Sequence, residues 1–171
     1  MSESLSRARK KIADPALNII LYEPEIPANT GNIARLCAAA ELPLHLIHPL
    51  GFKTDDRHLK RAGLDYWSEV EVHEHENFTA FETFWRNLFP ATPIIGLSAR
   101  AENPYSRTGE NLTRHGLGLL FGPETRGLPA EITNRFPTFT IPMSGRVRSL
   151  NLSTSVGIVA YHFLHQLKIF S

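Results

Sequence analysis

The chain reads as a single α/β domain built on a mostly parallel six-stranded sheet flanked by helices. Three observations lead there. Short β-branched or apolar runs alternate with helix-like segments, the order expected of βα units. The runs are apolar on both faces, as strands covered by helices on either side are. The 171 residues, 42% hydrophobic and 20% charged, suit one core. A domain of this size buries about 70% of its unfolded surface and needs neither disulfides nor a structural metal to be stable.

Taken in order, residues 1–16 are polar and basic and read as a flexible extension, leaving 17–171 as the domain. Apolar runs predict strands at 17–22, 44–48, 70–73, 93–98, 117–121 and 138–141. Helices are predicted over 30–40, where Asn29 or Thr30 can cap, and over 55–61 and 77–88. A short turn follows Pro129. The final helix, 152–168, carries Val156, Val159, Ala160, Phe163, Leu164 and Leu167 on one wide stripe that packs on a core or a partner. No repeat, low-complexity segment or long linker divides the chain.

Several classes are excluded on composition. Cys37 stands alone, so there is no disulfide framework or multi-cysteine zinc site, and a reducing cytoplasm fits. The basic start lacks an apolar run long enough for a signal peptide, and no stretch approaches the roughly 20 apolar residues of a membrane span. A soluble, cytoplasmic protein is expected. The net charge of +1 conceals an uneven distribution: residues 1–17 sum to +2, 18–78 to −5 and 79–171 to +4. In the last part eight of nine basic residues are arginine, the side chain suited to phosphate and carboxylate.

In open parallel sheets ligands bind beyond the carboxyl ends of the strands, so the loops there are the places to seek chemistry. Three are unusual. The first, residues 23–32, is stiffened by Pro24 and Pro27 and leads into a helix start that could receive an anion, with Arg35 further in. Helix capping with a surface arginine explains it equally well. The second, residues 121–129, holds Gly122 and Gly127 for close backbone approach and presents Glu124 and Arg126 from a rigid loop, or merely reverses the chain. Gly116 and Gly118 enter a strand instead of opening a helix, so they are no dinucleotide fingerprint. The third, residues 141–153, alternates apolar Ile141, Met143 and Leu150 with Arg146, Arg148, Ser149, Asn151 and Ser153, a mixture that suits a nucleoside-like ligand or a simple N-cap. His73 with His75, and His162 with His165, lack a third ligand and predict no metal site. Cys37 and the stripe Phe78, Phe81, Phe84, Trp85 and Phe89 read as core.

These loops together resemble the TrmL/YibK family of tRNA 2′-O-methyltransferases within the SPOUT superfamily. The resemblance rests on LNIILYEPEIPANTGNIARLCA at 17–38, DDRHLKRAGLDYW at 55–67, LLFGPETRGLP at 119–129, IPM at 141–143 and RSLNLS at 148–153. Residues 144–147 and Ser98-Ala99-Arg100, where the family often has paired threonines, depart from the usual pattern. The resemblance implies a C-terminal trefoil knot, a homodimer joined through the first and last helices, and a metal-free site for S-adenosylmethionine. It implies Leu97, Gly122, Ile141, Met143, Ser149 and Leu150 around the cofactor. Arg35 would be the principal catalytic residue, with Asn29, Glu124, Ser149 and Asn151 about it. The implied substrate is tRNA at its anticodon, with cytidine or uridine 34 methylated on the ribose. Another tRNA or rRNA position, or a non-catalytic RNA-binding module, are the alternatives. Arg35 could act as general base or as a cation stabilising developing alkoxide.

Overall fold

A computed structural model describes residues 17–53, 67–108 and 116–169. The expected extension at 1–16 and the helix at 55–61 lie outside the described residues. Six strands are present: β1 (Leu17–Tyr22), β2 (Leu44–Ile47), β3 (Val72–His75), β4 (Ile94–Leu97), β5 (Leu117–Phe121) and β6 (Thr138–Phe139). They form one sheet in the order β3-β2-β1-β5-β4-β6, with every pair parallel. Among the described residues four α-helices accompany them: α1 (Pro27–Ala40), α2 (Phe78–Leu88), α3 (Ala130–Thr133) and α4 (Leu152–Gln166).

Alternation along the strands divides the core. Leu17, Ile19 and Leu21 of β1 pack with α1 and α4, whereas Ile20 packs with Phe81 and Trp85 of α2 and Ile132 of α3. Gly118 on β5 makes room for Trp85, because a Cβ there would meet Trp85 Cη2 at 2.9 Å. Trp85 satisfies its buried indole N–H on the Thr92 carbonyl at 3.0 Å. Cys37 is buried, as expected of a core residue, and desolvation pushes its thiol pKa well up.

The differences from expectation have physical reasons. Strand β3 runs two residues later than predicted, a slip that preserves which faces the alternating residues occupy. Strand β6 is shorter, because Thr140 leaves the sheet to exchange backbone hydrogen bonds with Asn103 and Tyr105. Helix α1 begins earlier, with Ile26 as N-cap and Pro27, whose fixed φ suits the first helical position, at its start. Asn29 and Thr30 are therefore buried inside the first turn and cap nothing.

The order of strands places a switch between β1 and β5. From β1 the chain builds outward to β2 and β3, then crosses to β4 on the far side and inserts β5 between. The carboxyl ends of β1, β5, β4 and β6 thus open toward one another, which is where such sheets bind ligands.

Candidate active site

Three loops interlock at this switch. The tip of loop 122–127 folds so tightly that a Cβ on Gly122 would lie 2.3 Å from the Leu128 nitrogen, and Gly127 takes a φ of +68°. From this tip Glu124 reaches the start of α1, where Ile26 offers no side-chain cap. Its carboxylate accepts from the backbone N–H groups of Glu25 at 2.8 Å and Ile26 at 3.2 Å, and from Asn29 Nδ2 at 2.9 Å. The carboxylate thus ties the two residues that lead into α1, and the side chain of Asn29 in its first turn, to loop 122–127.

The same network extends to the last helix. Asn151 Nδ2 donates to Asn29 Oδ1 at 2.9 Å, while Asn151 Oδ1 caps α4 by accepting from the backbone N–H groups of Ser153 and Thr154. Asn151, Asn29 and Glu124 form a directed relay of hydrogen bonds linking the starts of α4 and α1 to loop 122–127. A second set of contacts locks the loops at their outer edge. Glu25 accepts from the N–H and hydroxyl of Thr125, and Arg126 pairs with Glu23, which raises the Arg126 pKa, and lies 3.9 Å from Glu25. Arg126 was expected to project as a functional group; the structure commits it to this lock. No sequence signal joined Glu23 and Glu25 to partners about a hundred positions away.

Beside the relay lies a cleft of about 590 Å³. All six residues expected around a cofactor line it: Leu97, Gly122, Ile141, Met143, Ser149 and Leu150. Asn29, Glu124 and Asn151 line it too. Ser98, Ala99 and Arg100 on the loop after β4, noted in the sequence only as a departure from the family pattern, line it as well, because the register of β4 against β6 brings that loop beside residues 141–151. Arg35 is the exception among the expected residues. It is exposed on α1, six residues beyond Asn29, hence about 9 Å along the axis and turned about 120° away, and it does not line the cleft.

The histidines form a separate cluster. His45 Nδ1 lies 3.1 Å from His75 Nε2, and His45 Nε2 lies 3.2 Å from Asn18 Oδ1, with His73 stacked on His45. Burial, and then the neighbouring His73 and His75, lower the His45 pKa to about 2. Among the described residues no group of three or more His, Cys, Asp or Glu side chains has the arrangement of a metal site.

Known proteins share this architecture. Residues 16–161 match the model of the SpoU rRNA methylase family. The chain belongs to that family. Among its relatives is the tRNA (cytidine(34)-2′-O)-methyltransferase of Escherichia coli K12, 44% identical over 156 residues, covering 88% of this chain and 94% of the relative. The enzyme of the same name from Yersinia pestis is 43% identical over 155 residues, with 88% and 94% covered. A solved structure from work on 2-OH methylation of C/U34 on tRNA superposes with a TM-score of 0.81 at 49% identity, covering 89% of this chain and 96% of that one.

Proposed function

We propose that the protein transfers a methyl group from S-adenosylmethionine to the ribose 2′-hydroxyl of cytidine or uridine 34 in tRNA. The observation that carries this reading is the cleft, which gathers residues from three distant loops in a chain aligned almost end to end with enzymes of that name. Its volume lies within the range of small-molecule sites. Leu97, Ile141, Met143 and Leu150 supply apolar walls, and Ser149 and Asn151 supply polar edges, a lining that fits a nucleoside carrying an aliphatic sulfonium. Bound there, S-adenosylmethionine supplies an electrophilic methyl group for in-line attack by a ribose oxygen.

The protein's own groups orient and stabilise. The relay from Asn151 through Asn29 to Glu124 fixes the first turn of α1 against the cleft. Arg35 then extends from a helix whose start is held in place. A guanidinium donates five N–H groups and accepts none, so the role supported for Arg35 is to position the ribose and stabilise charge as the hydroxyl oxygen attacks.

Because Arg35 lies away from the cleft of its own chain, the reading includes a homodimer in which a second copy completes each site. Ile158 and Tyr161 are 38% and 48% exposed on α4, which packs beside α1, and give that face an apolar surface for the partner. The path of residues 141–151 past Leu97 and Phe121 into α4, which packs back on β1 and β5, supports the threaded knot. No helix among the described residues is long and apolar enough to cross a membrane, in keeping with a cytoplasmic tRNA enzyme.

Ribose methylation mapped in tRNA from a strain lacking the protein tests this reading. Loss of the mark at nucleotide 34, with its restoration in vitro by purified protein, S-adenosylmethionine and a chelator, is expected. An unchanged nucleotide 34, or a mark lost elsewhere, overturns the substrate assignment, and activity abolished by chelation overturns the metal-free reaction.

A further inference from the structure

Three arginines line the cleft, Arg100, Arg126 and Arg148, and they are held differently. Arg126 is held by Glu23 and Glu25, while Arg86 and Arg135 share Glu82. Arg100 and Arg148 differ. Both are exposed, both line the cleft, and neither side chain has an ion pair or hydrogen bond among the described residues. They approach from separate loops that leave the same end of two paired strands, since Leu97 of β4 is the register partner of Phe139 of β6. Among the described residues Glu124 is the one acidic group lining the cleft, and both its oxygens already accept hydrogen bonds, from Glu25, Ile26 and Asn29. The mouth of the cleft therefore presents two uncompensated guanidinium forks on different walls.

We propose that Arg100 and Arg148 form a two-point clamp for successive phosphates of the single-stranded RNA segment that carries the target ribose. The proposal rests on reading the cleft as an RNA methyltransferase site. A guanidinium matches an oxyanion through paired N–H donors. The anion could in principle be a phosphate of RNA or the carboxylate of the methyl donor. One carboxylate is satisfied by one fork, whereas two forks on separate loops match a strand that repeats its charge at every nucleotide. Single-stranded RNA is bound by such basic grooves, with its bases splayed out for recognition. The clamp fixes where the strand lies, which sets the register of the target ribose against the cleft without reading sequence.

The test measures affinity for unfractionated tRNA over a range of salt concentrations, using wild-type protein, Arg100→Gln, Arg148→Gln and the double variant. Arg86→Gln serves as the control, because it removes the same charge from a helix outside the cleft lining. Each phosphate neutralised on a single strand contributes about 0.7 to the slope of log affinity against log salt. The expected loss of slope is about 0.7 in each single variant and about 1.4 in the double, with none in Arg86→Gln. Calorimetric affinity for S-adenosylmethionine should stay that of the wild type. Equal losses in Arg86→Gln would reduce the effect to overall charge and overturn the clamp. An unchanged RNA slope with weakened S-adenosylmethionine binding would assign the arginines to the donor carboxylate instead. Wild-type protein that methylates tRNA while the variants keep its slope refutes the clamp alone; wild-type protein that neither binds nor methylates tRNA refutes the underlying reading as well.

Discussion

Replacing Glu124 by glutamine separates a holding role from a chemical one. In the wild type the carboxylate accepts three hydrogen bonds, from Glu25 N at 2.8 Å, Ile26 N at 3.2 Å and Asn29 Nδ2 at 2.9 Å, on its two oxygens. Glutamine keeps one acceptor oxygen and turns an NH₂ toward the remaining donors. At least one charge-assisted bond is lost and a donor then faces a donor. A hydrogen bond to a charged group contributes about 1.5–3 kcal/mol; the site is partly exposed, so water recovers some of this. A net cost of about 2 kcal/mol is expected, which in a domain of this length lowers Tm by about 4–8 °C. Thermal unfolding followed by circular dichroism at fixed protein concentration measures it, with single-turnover methyl transfer recorded in parallel. Activity at a temperature well below the new midpoint should fall with the fraction of chains whose α1 start is correctly held. A midpoint within about 1 °C of wild type, combined with loss of methyl transfer, would refute the holding role and place the carboxylate on the reacting atoms.

Arg35→Ala and Arg35→Lys should each lower single-turnover methyl transfer by at least about tenfold while calorimetric S-adenosylmethionine affinity stays near wild type, since Arg35 lies outside the cleft lining and lysine lacks the two directed donors; recovery in the lysine variant would favour charge over geometry. Ile158→Asp, on the exposed side of α4, should shift sedimentation toward monomer and reduce activity in step, and an active monomer would remove the partner from the site. The protein should lose stability as pH falls below about 6.5, because burial holds the pKa values of His45 and His75 down in the folded state while the unfolded chain takes up protons freely. At pH 5.5 His45 alone accounts for about 1.4 kcal/mol, measurable by denaturant titration and diminished in a His45→Gln, His75→Gln double variant; an identical pH dependence in that variant would exonerate the cluster.

The strands were legible because a buried parallel strand announces itself by an apolar run on both faces, as in Leu17–Tyr22 and Leu117–Phe121, whose six and five residues were bounded correctly. Strand β3 was misplaced by two because Val70 and Val72 fall on the same face, and period alone does not distinguish registers two apart. The start of α1 was misread for a different reason. Asn29 and Thr30 are good capping residues, but the acceptor that ends up at the helix start belongs to Glu124, at a separation of 98 residues from Ile26. Local propensity gives no account of an acceptor delivered from so far away. The cleft was legible as a set of loops, since strand ends attract ligands, yet the Glu25–Thr125 lock and the place of Arg100 arise from tertiary register. Arg35 stood out beside the first loop, but its catalytic role entered through family resemblance; its helical spacing from Asn29 is what sets it apart from the cleft.

The relay joins residues separated by 95 positions, from Asn29 to Glu124, and by 122, from Asn29 to Asn151. On the ribosome this means that α1 emerges early and waits, the N–H groups of Glu25 and Ile26 and the side chain of Asn29 without these partners, until loop 122–127 and then the start of α4 have been synthesised. A nascent chain halted before residue 151 holds most of the sheet but no connected relay, and contacts of such long sequence separation form late in folding. Catalytic competence therefore arrives with the final helix. A chain cut before residue 148 would lack Arg148 as well as the relay, so such copies would neither modify the substrate nor hold it at full strength.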